Sequence, residues 1–401
     1  MSAPAASGGT DLRAAARVIA LVFFANGALL GAWGSRIPAI REDLDLSEGQ
    51  LGIALAALAV GALIAMPLSG AWAARDGSRR PTRVLLAFFC VAPFLAASAP
   101  SLAVLMLGGL ILGITNGGLD VSMNTQATTI EQRRGTLLLG RVHAGFSAGG
   151  MVGAGTGALA AHADLAPEVH LGVLGLVLAL IVLPASRVLV PDDAHPRAAD
   201  GSGPKFVRPS GILLVLGVVA FCSYLSEGAA LDWSAVYVED SLSGSSSVAA
   251  LAYASFSALM LIGRLASDTL VGAFGPTTLM RGGGTIAGAG LAIAVLIGEP
   301  WAALLGFATL GAGLSVIVPL VFRAAAGAGG GPTLAVATTM GYAGLLAGPP
   351  IIGAIAEVAS LPVGMAFVAL LAFTTAILSP VVNRIGSGAP TPAPTAAPDP
   401  A

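Results

Sequence analysis

Residues 102–126 read LAVLMLGGLILGITNGGLDVSMNTQ. The first half of this run has no polar side chain, and a helix needs about 20 such residues to cross the hydrocarbon layer of a bilayer. The second half sets Asn116, Asp120 and Asn124 at four-residue intervals, which stacks all three on one helix face. That face is cheap in water and costly in lipid, so the composition of the whole chain decides how the stretch is read. The 401 residues are 56% hydrophobic and only 10% charged, against roughly 25% charged in a soluble domain. Mean hydropathy is +0.87. Too few charges are available to cover a surface in water, so the stretch is read as a membrane-spanning helix with a polar stripe.

Working outward from it, twelve apolar runs fall in the roughly 17–25-residue window for a spanning helix. They cover 14–34, 50–73, 83–99, 102–126, 139–161, 169–189, 211–236, 247–271, 277–297, 301–322, 333–357 and 362–383. Prolines inside them (Pro67, Pro319, Pro349, Pro350) are compatible with helices in lipid, where neighbouring segments satisfy freed backbone groups. If the N-terminus is cytoplasmic, all of the 19 Lys and Arg residues except Arg36 and Arg41 fall on the cytoplasmic side. The positive-inside rule therefore supports an even number of spans with both termini cytoplasmic. The first span exceeds the usual 7–15-residue apolar core of a signal peptide, and is read as a retained helix.

Other classes find no support. No basic run suggests nucleic acid, and the net charge is −2. There is no C-x-x-C, no H-E-x-x-H, no Walker loop and no Ser/His/Asp arrangement, so neither an enzyme nor a cofactor is expected. Cys90 and Cys222 lie in apolar runs and read as small packing residues. The glycines of GAGTGA at 153–158 sit inside an apolar helix, not after a strand, which fails the context test for dinucleotide binding.

The one long polar stretch between spans, at 190–210, divides the chain into halves of six spans, 1–189 and 211–384. Residues 385–401 form a Pro/Ala-rich tail read as disordered. The halves echo one another. Asn26 to Trp33 (NGALLGAW) resembles Glu227 to Trp233 (EGAALDW), which pairs Asn26 with Glu227. GAWAARDGSRR at 70–80 has a weaker counterpart in Gly263, Arg264, Asp268 and Gly275. Parallel six-helix repeats are a transporter architecture with the binding site at the repeat interface.

On these features the chain is identified as a member of the major facilitator superfamily. The loop at 70–80 resembles the family's cytoplasmic signature, with Ala74 where the family usually has Asp. GAWGSRIPAI, LDVSMN and EGAALDWS further resemble a poorly characterised bacterial subgroup, the YbjJ type, itself similar to fucose–proton symporters. The resemblance implies an all-α membrane protein of twelve transmembrane helices in two six-helix pseudo-repeats, working by alternating access as a monomer. Its expected partners are the lipid bilayer, a small-molecule substrate and protons.

An ionisable group inside a membrane helix costs at least about 2.5–3.5 kcal/mol, and marks a functional site by default. Asp120 and Glu227 qualify best. By helical rise they lie within about two turns of their helix midpoints, on opposite sides. Neither has a basic residue at i±3 or i±4. The stripe Asn116–Asp120–Asn124 either faces a wet cavity, with amides for a polar solute and a carboxyl that carries a proton, or glues helices together. In fucose-type symporters the fourth helix carries an acid used for coupling, and Asp120 holds the resembling position. Such symporters also carry an acid on the first helix, where this chain has Asn26, so one coupling carboxyl is read as having moved to Glu227.

His143 is a relay candidate for Asp120, or a helix-end histidine. Asp232 is a ligand candidate, or with Trp233 part of an interfacial belt. Gln126 reads as a helix-end polar group. Trp33, Tyr224, Tyr253 and Phe256 supply stacking faces for a solute, or packing. Arg36 either recruits an anion or pairs with Glu42 or Asp43. Gating falls to Arg75, Asp76, Arg79, Arg80, Arg264 and Asp268 in the repeated loops. Gly145, Gly149, Gly153 and Gly157 on the fifth span, with Gly344 and Gly348 on the eleventh, form small-residue seams, expected to lie between the rocking halves. The function expected is proton-coupled uptake of a small, sugar-like solute. The alternatives are proton-driven drug efflux and a transport-inactive receptor or scaffold. The fifth span lacks the proline of the antiporter signature, which favours uptake.

Overall fold

The computed structural model describes residues 11–136, 138–191, 211–329 and 331–381. Most of the expected linker and the whole expected tail lie outside them. The described residues form helices and no strand. In order these are α1 (Leu12–Asp43), α2 (Glu48–Asp76), α3 (Arg79–Phe89), α4 (Ala92–Ala97), α5 (Leu102–Arg134), α6 (Leu139–His162), α7 (Pro167–Ala185), α8 (Gly211–Val236), α9 (Ser246–Phe274), α10 (Pro276–Ile297), α11 (Pro300–Leu314), α12 (Ile317–Gly329), α13 (Gly331–Val358) and α14 (Leu361–Leu378). The third expected span is α3 followed by α4, and the tenth is α11 followed by α12. Eleven of the resulting spans are long and apolar enough to cross a membrane. The twelfth is α6, whose glycines and polar residues dilute its hydropathy. It earns its place by packing on α1 and α9.

The surface is inside-out relative to a soluble protein. Leu159, Leu180, Ile377 and Leu296, the last 85% exposed, point outward. Asn26, Ser122, Gln126 and Asp232 are buried. Apolar outer faces suit lipid, while every buried polar group needs an internal partner or water.

The two sets of helices repeat one another in detail. Asp45 and Ser243 both adopt positive φ in tight loops, at 50° and 54°. Two residues on, Ser47 and Ser245 cap α2 and α9 with their hydroxyls. Gly77 and Gly275 end those helices at φ 77° and 73°, a region where a side chain is strained. Each pair stands at the same separation. α1 packs on α6 as α8 packs on α13, and α2 on α5 as α9 on α11. Between the sets, α6 meets α9 and α2 meets α13.

Packing corrects the sequence echo. The carbonyl of Phe24 approaches Gly149, and that of Phe221 approaches Gly344; Ala28 lies against Gly153, and Leu225 against Gly348. This register sets Ser223, not Glu227, opposite Asn26, and puts Glu227 opposite Leu30. The separation then grows by one residue across the π-helical turn Tyr237–Ser241, which holds an extra residue. The similarity of the two segments as strings of letters hid this shift.

The glycine seams are also relocated. Gly149, Gly153 and Gly157 all face α1, and Gly344 and Gly348 face α8, so both seams lie within a half. The close contacts between halves use other glycines. Gly34 meets the Leu231 carbonyl, Gly150 meets Tyr253 and Ser257, and Gly52 meets Gly353. A Cβ on Gly353 would sit 2.8 Å from the Gly52 Cα.

Candidate functional site

The polar stripe of α5 opens onto a cavity of about 190 Å³ between the two sets of helices. Helices α1, α2, α5 and α6 supply one wall; α8, α9 and α13 supply the other. Asn26, Trp33, Asn116, Asp120, His143, Tyr224, Glu227, Asp232 and Tyr253 all line it. The tertiary fold therefore gathers nearly every binding and coupling candidate into one space. Asn124 is the exception. Its Nδ2 donates to the Asp120 carbonyl at 2.8 Å and to Asp120 Oδ1 at 3.1 Å, so it orients the carboxyl from behind.

Asp120 Oδ2 accepts a hydrogen bond of 2.6 Å from Tyr342 Oη on α13. The Tyr342 ring stacks on Tyr224, centroids 5.7 Å apart. Asn26 Nδ2 donates to Asn116 Oδ1 at 2.9 Å, linking α1 to α5. The second carboxyl has a cation, contrary to the expectation drawn from its own helix. Arg264 Nη2 of α9 lies 3.5 Å from Glu227 Oε2, both side chains largely buried. The other guanidinium arm, Nη1, donates to Ser147 Oγ on α6 at 2.8 Å and to the His143 carbonyl at 3.4 Å. Arg264, expected in a gating loop, thus lies in the cavity wall.

The rings of His143 and Phe23 meet in a T-shaped contact, centroids 5.2 Å apart, and none of the described hydrogen bonds joins His143 to Asp120. Tyr253 stacks on Phe256, centroids 5.7 Å apart. Asp232 is 8% exposed and makes no hydrogen bond or ion pair within the described structure. Trp233 is fully buried, which rules out the interfacial belt. Gln126 is also buried; its Nε2 donates to Ser78 Oγ at 2.8 Å and to the Val190 carbonyl at 3.1 Å. Arg36 is buried, and binds neither Glu42 nor Asp43. Its Nη2 donates to the Leu165 carbonyl, tying α1 to the α6–α7 loop. Cys90 and Cys222 are buried and free.

The two ends of the bundle differ. At the end bearing the α1–α2 and α8–α9 loops, Arg41 forms an ion pair with Asp240 across the halves and another with Glu48 at 3.1 Å. Nearby, the Gly49 amide donates to Glu357 Oε2 at 2.8 Å. At the opposite, arginine-rich end, Asp76 pairs with Arg75 at 3.2 Å and accepts from Trp72 Nε1 at 3.1 Å. Arg79 donates to the Arg187 carbonyl at 2.6 Å, Arg83 to Ser186 Oγ at 3.2 Å, and Asp268 faces Arg323 at 3.8 Å. Each of these contacts stays within its own half. Arg80 is exposed.

Of the lining residues, Tyr342 escaped the sequence reading, and Arg264 was read as a gating residue instead of a cavity one. Tyr342 sits in an apolar run and gave no signal except being one of four tyrosines. Arg264 gave the signal of a base deep in a span, but its resemblance to the repeated loop masked it.

A sequence profile described as Major Facilitator Superfamily matches residues 19–330. Over 367 residues the chain is 35% identical to an uncharacterised MFS-type transporter of Yersinia pestis, covering 91% of this chain and 94% of that one. Among solved structures it is similar to the nucleoside transporter NupG, with a TM-score of 0.68 at 13% identity, over 92% and 99% of the two chains. It is similar also to the Escherichia coli fucose:proton symporter FucP, with a TM-score of 0.61 at 17% identity, over 92% and 98%. The twelve-span bundle, its repeated loops and the cavity between its halves thus agree with the sequence relationship: this chain belongs to the major facilitator superfamily of membrane transporters.

Proposed function

We propose that the protein is a proton-coupled importer of a small, polar, sugar-like solute, working as a monomer in a bacterial inner membrane with both termini cytoplasmic. One observation carries this reading: each of two cavity carboxyls is tied into a contact that crosses between the halves. Asp120 on α5 holds Tyr342 on α13. Glu227 on α8 holds Arg264, which grips Ser147 on α6. Hydrogen bonds to an ionised carboxylate are about twice as strong as neutral ones. A proton arriving on either carboxyl therefore weakens a tie between halves, and its departure restores it. Such a tie makes the rocking of one half on the other depend on protonation, which is what coupling requires.

With the termini inside, the end sealed by Arg41, Asp240 and Glu357 faces outward, so the conformation described is closed to the exterior. His143, Asn26, Asn116 and the stacked tyrosines supply donors, acceptors and ring faces for a hydroxyl-bearing solute. Fold relatives described as a fucose:proton symporter and a nucleoside transporter support a solute of that kind.

The test is transport in proteoliposomes with an external pH dye and a panel of sugars. External alkalinisation on adding a sugar is the expected result; proton release on adding lipophilic drugs would instead indicate antiport. Asp120→Asn and Glu227→Gln should each abolish uphill accumulation. Accumulation at wild-type level in both variants would remove the coupling role from these carboxyls.

A further inference from the structure

We infer that the solute carries a protonated amine, anchored by Asp232; this rests on the uptake reading above and adds the substrate class. Three carboxyls line the cavity. Asp120 is held by Tyr342 and Asn124. Glu227 is held by Arg264. Asp232 is more than nine-tenths buried, lines the same space, and has no donor or cation among the described residues. A buried carboxylate without a partner is costly, and natural sites pair such a group or leave it for a ligand.

The surroundings suit a cation. Gly34 and Leu231 touch where α1 crosses α8, so Trp33 and Asp232 adjoin the same crossing and both face the cavity. The stacked pair Tyr253 and Phe256 lines it from α9. Aromatic faces attract ammonium groups through the ring quadrupole. Among the described residues Arg264 is the one guanidinium in the lining, and it is already engaged with Glu227 and Ser147, so the described lining holds more acidic than basic side chains. An amino-polyol such as an amino sugar meets both halves of this chemistry: its ammonium pairs with Asp232, while its hydroxyls address the linked amides of Asn26 and Asn116. An acidic sugar meets repulsion.

The experiment uses the purified full-length protein and matched trios of hexose, hexosamine and hexuronate, with affinities from isothermal titration. For at least one trio the hexosamine should bind about tenfold or more tightly than the neutral hexose, a typical gain for a desolvated ammonium against a carboxylate and aromatic faces. The hexuronate should bind weakest. Asp232→Asn should collapse the hexosamine-to-hexose ratio toward one, and Asp232→Glu should keep it. If Asp232→Asn does not fold, the wild-type ranking and Asp232→Glu decide. Hexoses that bind and move protons as well as their amines do would overturn the amine assignment and leave the uptake reading standing. Failure of every trio to bind would overturn both.

Discussion

Arg264 and Glu227 form a pair that neither helix announces. Removing one partner of a buried ion pair leaves an uncompensated charge, a loss of about 3–5 kcal/mol in a dry interior and less beside a wet cavity. Arg264→Gln should therefore lower the melting temperature of the purified protein clearly. The double variant Arg264→Gln/Glu227→Gln should recover most of that loss, since no charge is then stranded. Equal destabilisation in single and double variants would mean that the guanidinium matters only through Ser147 and the His143 carbonyl. Tyr342→Phe deletes the 2.6 Å donor to Asp120. A hydrogen bond to a charged group is worth about 1.5–3 kcal/mol, so the melting temperature should fall and initial transport rates should drop by about tenfold or more. At this scale Asp120, Glu227 and Asn116 were legible because a polar group in an apolar run is conspicuous. Tyr342 was not, because a tyrosine in such a run is ordinary.

Between helices, small residues set the distance of approach. The face of α6 that carries Gly149, Gly153 and Gly157 lies on α1, with the Ala28 carbonyl directly over Gly153. Gly153→Val would push the backbones apart, and overpacking of this kind costs about 1–3 kcal/mol. A fall in melting temperature is expected for Gly153→Val. Gly155, two positions on, has open space beyond its Cα, and Gly155→Ala should be neutral or slightly stabilising because alanine restricts the unfolded chain. Indistinguishable unfolding curves for the two variants would remove this account of the α1–α6 contact. The four-residue glycine rhythm was readable in the sequence, and so was its meaning as a packing face. Which helix it would meet was not, because spacing along one helix says nothing about its partner. The register of the repeat failed for a related reason: similar letters in the two segments aligned Asn26 with Glu227, whereas Gly149 and Gly344 align Phe24 with Phe221.

Across the whole molecule, the halves meet tightly at the end bearing the α1–α2 and α8–α9 loops, through Arg41 with Asp240 and Gly52 against Gly353. A side chain at Gly353 meets backbone there and cannot turn aside. Gly353→Val should therefore hold that end apart. Spin labels on Asp45 and Ser243, one in each loop, should report longer and broader distances in Gly353→Val than in the parent protein. An unchanged distribution would show that the contact does not limit closure.

By itself the sequence determined the solvent, the number of spans and the family. Apolar length, scarcity of charge and the sidedness of arginine are properties of the chain alone, and lipid responds to them directly. It also marked the carboxyls and amides that lipid would not tolerate. Tertiary structure decided which of them share a space, that Asn124 supports Asp120 from behind, that Arg264 answers Glu227 from another helix, and that Asp232 has no partner among the described residues. Those outcomes depend on which faces of distant helices come together, and a contact between residues 120 and 342 leaves no trace in the spacing around either one.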